Sequence, residues 1–184
     1  MVTFMPQKSL QYLTLSFLCE QDVALMQALA EAVGQSQCDI ITTRFSYLGH
    51  HQAGFMHISG TWISIAKLEN QLKILNQAHP NTLHYQRTEK AEYPNTLAPY
   101  IVQVVGTNRT DTLANVVAFF NDQELLMIDL VVHPYHTPHT HTSMLSIQST
   151  VLIPTNLHLA QIREAFILFC EEHNLDAMFE PDRN

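Results

Sequence analysis

The sequence predicts an α+β chain made of two tandem βαββαβ units, each a four-stranded antiparallel sheet with its helices on one face. Three observations carry this. The same order of strand-like and helix-like segments occurs twice along the 184 residues. Apolar positions alternate with period two in some segments and step by three and four in others. A polar stretch with two prolines, "EKAEYPNTLAP", separates the halves.

The first strands are "YLTLSFL" (12–18) and "YIVQVVG" (100–106). Each leads through a short polar turn to an acid, Asp22 or Asp111, placed to cap a helix through its first free N–H groups. The first helices are "DVALMQALAEAVG" and "DTLANVVAFFNDQ". Their expected core stripes are Val23, Met26, Leu29, Ala30 and Val33, and Leu113, Val116, Val117 and Phe120. Gly34 sits near the end of the first.

The second strands are "CDIITTRFSYLG" and "LMIDLVVHPYH", aligned with Ile40 opposite Ile128. The third strands are "FMHISGTWIS" and "MLSIQSTVLI", where Met56, Ile58 and Thr61 match Leu145, Ile147 and Thr150 at one offset. That alternation predicts half-buried strands, with Trp62 on the first of them. The second helices follow, with stripes Ile65, Leu68, Leu72, Leu75 and Leu159, Ile162, Phe166, Phe169 at identical steps. Short strands "TLHYQRT" and "LDAMFEP" close the units. The domains are expected at 9–88 and 99–184, with a linker at 89–98. Right-handed crossovers then place both helices of a unit on one sheet face, as in ferredoxin-like folds.

Composition narrows the function. Only 14% of residues are charged and about half are apolar, enough for a core. The net charge is −8, and the nine Lys and Arg are scattered singly. Neutralising phosphates needs clustered cations, so direct binding to nucleic acid or to an anionic membrane is disfavoured. "MVTFMPQKSLQ" lacks the basic and apolar regions of a signal peptide, and the most apolar run, "ELLMIDLVV", is too short to span a bilayer. A cytoplasmic location is expected. Cys19, Cys38 and Cys170 form no pattern and read as reduced, buried thiols. No G-x-S-x-G, phosphate loop, G-x-G-x-x-G or H-E-x-x-H occurs, so no enzyme activity and no cofactor are expected.

A tandem pair of such units resembles ACT domains, small ligand-binding regulatory modules of amino-acid metabolism. "CDI" opening the second strand, "LG" ending it and "SGTW" on the third are similar to the first half of the glycine cleavage system transcriptional repressor family. "YIVQVVG" and "FNDQELLMIDLV" are similar to its second half, so the resemblance runs from Ser9 onward. It implies a repressor of glycine cleavage genes that does not bind DNA itself. It implies action by binding a LysR-type transcriptional activator, with glycine or another amino acid as the signal. It also implies a homodimer.

ACT domains often carry D-x-x-G-[IL] at the turn into their first helix, where glycine lets a ligand approach backbone N–H groups. This chain reads "QDVAL" and "RTDTL", with Ala24 and Thr112 at the glycine positions. The resemblance places a ligand carboxylate at Asp22, Val23 and Ala24, and equivalently at Asn108, Arg109 and Asp111, where Arg109 supplies a cation. The same residues also read as helix caps and a solvated cation. Two other readings stay open: an amino-acid sensor that controls an enzyme, and a metal-responsive binding protein. The second rests on "HPYHTPHTHT", where His133, His136, His139 and His141 lie between the second and third strands of the second unit. Their spacing permits zinc or nickel, but their place between two strands favours an exposed hairpin loop.

Overall fold

The computed structural model describes residues 10–20, 23–80, 82–90 and 92–182, without the side chain of Val23. The chain divides into two compact units, Met1–Glu92 and Tyr93–Asn184. The first contains β1 (Gln11–Glu20), α1 (Val23–Gln35), β2 (Asp39–Leu48), β3 (His51–Gly60), α2 (Trp62–Ala78) and β4 (Leu83–Thr88). The second contains β5 (Leu97–Thr107), α3 (Thr112–Asp122), β6 (Leu126–His136), β7 (Ser143–Pro154), α4 (Leu159–Glu172) and β8 (Leu175–Pro181). The sheet orders are β2-β3-β1-β4 and β6-β7-β5-β8, antiparallel throughout. This is the ferredoxin-like βαββαβ fold of ACT domains, written twice. Leu97 and Ala98, expected in the linker, already belong to β5, where they pair with Pro154 and Ile153.

Alternation builds each core. Leu13, Leu15 and Phe17 point to one face of β1, and their ladder partners Ile58, Met56 and Gly54 point the same way. Leu25, Leu29, Ile65, Leu68 and Leu72 from the two helices complete that cluster. In the second unit Val102, Val104, Ile147 and Val151 meet Val116, Phe120, Ile162 and Phe166. One face of each sheet therefore carries both helices, and the other stays open. Gly54 has no room for a side chain, because a Cβ there would lie 2.6 Å from the Phe17 ring and 2.7 Å from the Arg44 carbonyl.

Several sequence expectations are corrected. The buried stripe of α1 is Leu25, Leu29, Ala32 and Val33, while Met26 is half-buried and Ala30 exposed. The helix is rotated so that its leucines, larger than alanine, take the space over the sheet. Gly34 stays within α1, and the left-handed residue beyond it is Gln37 (φ 55°). Cys38 N–H donates to the Val33 carbonyl and Gln37 N–H to the Gly34 carbonyl, which together close the helix end. Glu124 (φ 55°) and Asn174 (φ 54°) hold the same conformation after α3 and α4.

Trp62 is not a strand residue. It opens α2 and is 62% exposed. The strand ends because Thr61 caps that helix, its hydroxyl accepting from Ser64 N–H at 3.1 Å. Asp111 precedes α3 but its carboxylate does not cap it, for the reason given below. The alignment of Ile40 with Ile128 also slips. Ile40 pairs with Ile58 and Met127 with Val151, each just before a bulge, so Ile128 matches Ile41 and Val151, not Ile147, matches Ile58; Thr61, which caps α2, likewise does not match Thr150 inside β7. The two edge strands carry their bulges at the same place, after the second residue of each, between Ile40 and Thr42 and between Met127 and Asp129. Of the cysteines, Cys170 is buried and its thiol is pushed up to about 11 by that burial; Cys19 and Cys38 are only half-buried.

Candidate functional site

The ligand positions implied by the sequence lie where β1 leads into α1 and β5 into α3. Asp22 falls outside the described residues. Val23 begins α1, and Ala24, on its first turn, is exposed.

The second position is fully described. β5 ends at Thr107, and Asn108 is tied back to the start of β7. Its N–H donates to the Ser143 carbonyl at 3.0 Å, and its amide donates to the Ser143 hydroxyl at 3.3 Å. Arg109 forks onto Asp111, with Nε at 3.2 Å from Oδ1 and Nη2 at 3.1 Å from Oδ2. The carboxylate makes no cap to α3, because Asp111 already has a helical backbone (φ −94°, ψ −14°) and not the extended one from which Thr61 caps α2. The guanidinium holds the Asp111 carboxyl below the usual carboxylate range. Thr112, at the position of the ACT glycine, is buried. An incoming carboxylate would find Arg109 already paired and would have to displace Asp111. The pair is solvent-screened, with side chains 63% and 47% exposed, so exchange is cheap.

The histidine tract divides between strand and turn. His133 and His136 belong to β6, opposite Ser146 and Ser143. They are three residues apart on a strand, so they point to opposite faces of the sheet. His139 and His141 lie in the turn 137–142, where His141 takes a left-handed conformation (φ 51°). Threonines hold this turn: Thr142 N–H donates to the Thr137 hydroxyl at 3.0 Å, and Thr137 N–H donates to the Thr142 carbonyl at 3.1 Å. All four histidines are exposed. Among the described residues no three His, Cys, Asp or Glu side chains form a group that could hold a metal ion.

The structure adds a feature that sequence reasoning missed. The open face of the first sheet holds a shallow concavity of about 810 Å³, lined by Thr14, Ser16, Thr42, Phe55, His57 and His84 among others. The Nε2 atom of His57 is buried and makes no hydrogen bond among the described residues, and its ring lies 5.8 Å from Tyr12. The signal was present in the polar members of the alternating strands, Thr14 between Leu13 and Leu15, Ser16 between Leu15 and Phe17, and His57 between Met56 and Ile58.

No helix among the described residues is long and apolar enough to cross a membrane. The order and pairing of the strands define a chain of two tandem ferredoxin-like units. Along nearly its whole length the chain is similar to the glycine cleavage system transcriptional repressor of Escherichia coli (strain K12). The two are 24% identical over 170 residues, 92% of this chain and 90% of that protein. The repressor of Shigella flexneri matches with the same figures. A crystal structure of a putative glycine cleavage system transcriptional repressor shares the fold, with a TM-score of 0.64, 20% identity and coverage of 95% and 99%. So does an unknown protein from Galdieria sulphuraria, with a TM-score of 0.71, 17% identity and the same coverage. No family model matches the chain.

Proposed function

We propose that this chain is a non-enzymatic regulator that restrains glycine cleavage genes by binding a LysR-type transcriptional activator. Glycine or another amino acid modulates that binding, and the regulator works in the cytoplasm as a homodimer. The observation that carries this reading is similarity to a transcriptional repressor across both repeats and 92% of the chain. A match confined to one unit would indicate only a shared module; one spanning both units and the segment between them points to a shared role. The charge supports contact with protein and not with DNA, since a net −8 with scattered cations gives phosphates no docking stripe.

The amino acid is placed at the helix starts, around Asp22, Val23 and Ala24 and around Asn108, Arg109 and Asp111. At the second position its carboxylate replaces that of Asp111 on Arg109. The buried Thr112 keeps the ligand farther from the backbone than glycine would.

A pull-down with the host's LysR-type regulators, with and without glycine, tests the partner. Recovery of a transcription factor is expected, and recovery of an enzyme with no transcription factor contradicts the reading. Thermal shift with a panel of amino acids tests the ligand. The expected result is a rise with at least one of them that Arg109→Ala reduces. A flat response to all of them removes the ligand from the proposal.

A further inference from the structure

The open faces of the two sheets differ in charge. On the first, ladder partners set two rows across the four strands. Thr42, His57, Thr14 and Gln86 stand abreast in one row, and Arg44, Phe55, Ser16 and His84 in the next. Alternation turns all eight away from the helices. Neither row contains an acid. Asp39 and Glu20, on the same face, lie beyond the rows, opposite Ser59 and His51. Seven of the eight line the concavity of about 810 Å³, and Arg44 stands beside it as the ladder partner of Phe55.

The second unit serves as an internal comparison. With the edge strands aligned on their bulges, Asp129 stands where Thr42 does, and Thr150, Ile101 and Glu180 complete its row. The next row is Val131, Gln148, Gln103 and Met178. These eight positions hold two acids, with no cation and no histidine. In the first unit they hold one cation, two histidines and no acid. The same strand order accepts both sets, so the sheet does not require the first one. The Nε2 atom of His57 is also buried in the first face with no hydrogen bond among the described residues, which costs free energy until something pairs with it.

We infer that the open face of the first sheet binds a small organic anion. Its carboxylate or phosphate lies over β1 between His57 and His84, and its apolar part lies beside Phe55. The two histidines flank β1 from either side, as neighbours of Thr14 and Ser16. Every polar side chain of the two rows can donate a hydrogen bond and none is negative. An anion therefore meets donors without repulsion, whereas a cation meets the charge of Arg44. Phe55, 45% exposed, gives the ligand an apolar flank. The volume falls within the range of small-molecule sites, about 300–1,000 Å³. This face lies on the side of the sheet away from the helices, so it is not the helix-start position proposed above. It requires neither that amino acid nor the transcription factor.

Nuclear magnetic resonance of the full chain, followed at the imidazoles of His57 and His84, tests this with benzoate and phenyl phosphate as probes. Both imidazoles are expected to shift and saturate with at least one probe, and the probe that works tells carboxylate from phosphate. Benzamide, the neutral counterpart of benzoate, and sodium chloride at equal ionic strength are expected to leave them in place. Thr42→Asp with Gln86→Glu gives the first unit the acids of the second at two exposed positions, and is expected to weaken binding about tenfold or more with unchanged circular dichroism. Where that variant does not fold, His84→Met, a single exposed change to the second unit's residue, is expected to weaken binding severalfold as followed at His57. Arg109→Ala, at a helix start, is expected to change nothing. The site is overturned by no saturating shift with either anion, by an equal shift with benzamide or sodium chloride, by full affinity in the acidic or His84→Met variant, or by a loss in Arg109→Ala.

Discussion

In the first unit the space between sheet and helices is filled mainly by aliphatic side chains, with Leu13, Leu15, Leu25, Leu29, Leu68 and Leu72 nearly or fully buried. In the second the same space holds rings. Phe119, Phe120 and Phe166 lie with centroids 5.1–5.3 Å apart, and Phe179 joins Phe166 at 5.8 Å and stacks on Tyr100 at 5.5 Å. The strand orders are nonetheless the same. Alternation and the spacing of helical stripes therefore set the fold, while the identity of the hydrophobe is free to drift as long as the volume is filled. The units also part at their β-hairpins. Gly49 (φ 68°) and His50 alone turn β2 into β3, whereas residues 137–142 join β6 to β7. The units have thus diverged in core composition and in hairpin length while keeping one strand order.

The largest expected effect tests the contrast between the cores. Phe166 is fully buried at the centre of the ring cluster, so Phe166→Ala should cost about 3–5 kcal/mol. Leu72→Ala, the matching deletion in the first unit, should cost about 2–5 kcal/mol and on average less. Urea denaturation followed by far-UV circular dichroism compares them. A loss no larger for Phe166→Ala than for Leu72→Ala would contradict the contrast, since the ring also fills the larger volume.

Glycine positions sharpen the comparison. Gly54→Ala drives a methyl against the Phe17 ring and a backbone carbonyl and should cost about 1–3 kcal/mol. Gly106→Ala meets the tip of Leu175, a flexible side chain, so it should cost less. Melting temperatures of the two variants should fall in that order.

Helix starts come next. Thr61→Ala removes a formed cap from α2 and should cost about 1 kcal/mol. Asp111→Ala removes no cap from α3, so its effect on melting temperature should be the smaller.

The smallest effect is electrostatic. Arg87 donates to Glu69 and lowers its pKa. A carboxyl lowered in the folded state adds stability above its unfolded pKa and loses it as pH falls through the folded value. Glu69→Gln should therefore melt slightly lower than the wild type above about pH 5, and the gap should close below about pH 4. A gap independent of pH would show that the fork does not stabilise the fold.

The element order was legible because apolar period survives in every segment, and the last strand of the second unit has the bounds read from its sequence, "LDAMFEP". Other features are set by contacts that period does not encode. The rotation of α1 depends on which side chain fits over β1. The bulges beside Ile41 and Ile128 depend on how each edge strand meets its neighbour. Gln37, Glu124 and Asn174 close helices without the glycine that would have announced it. At the candidate site, Arg109 and Asp111 were visible as residues, but their mutual fork was not, because a two-residue spacing leaves the rotamers open. The concavity beside His57 needed four strands assembled before its polar members shared a face.

The most direct test of the regulatory role is to delete this gene in its native host and measure glycine cleavage transcripts with and without glycine. Transcripts are expected to rise in the deletion strain when glycine is scarce, approaching the level seen with glycine, and to fall again when the chain is restored. Transcripts that do not change on deletion would contradict it.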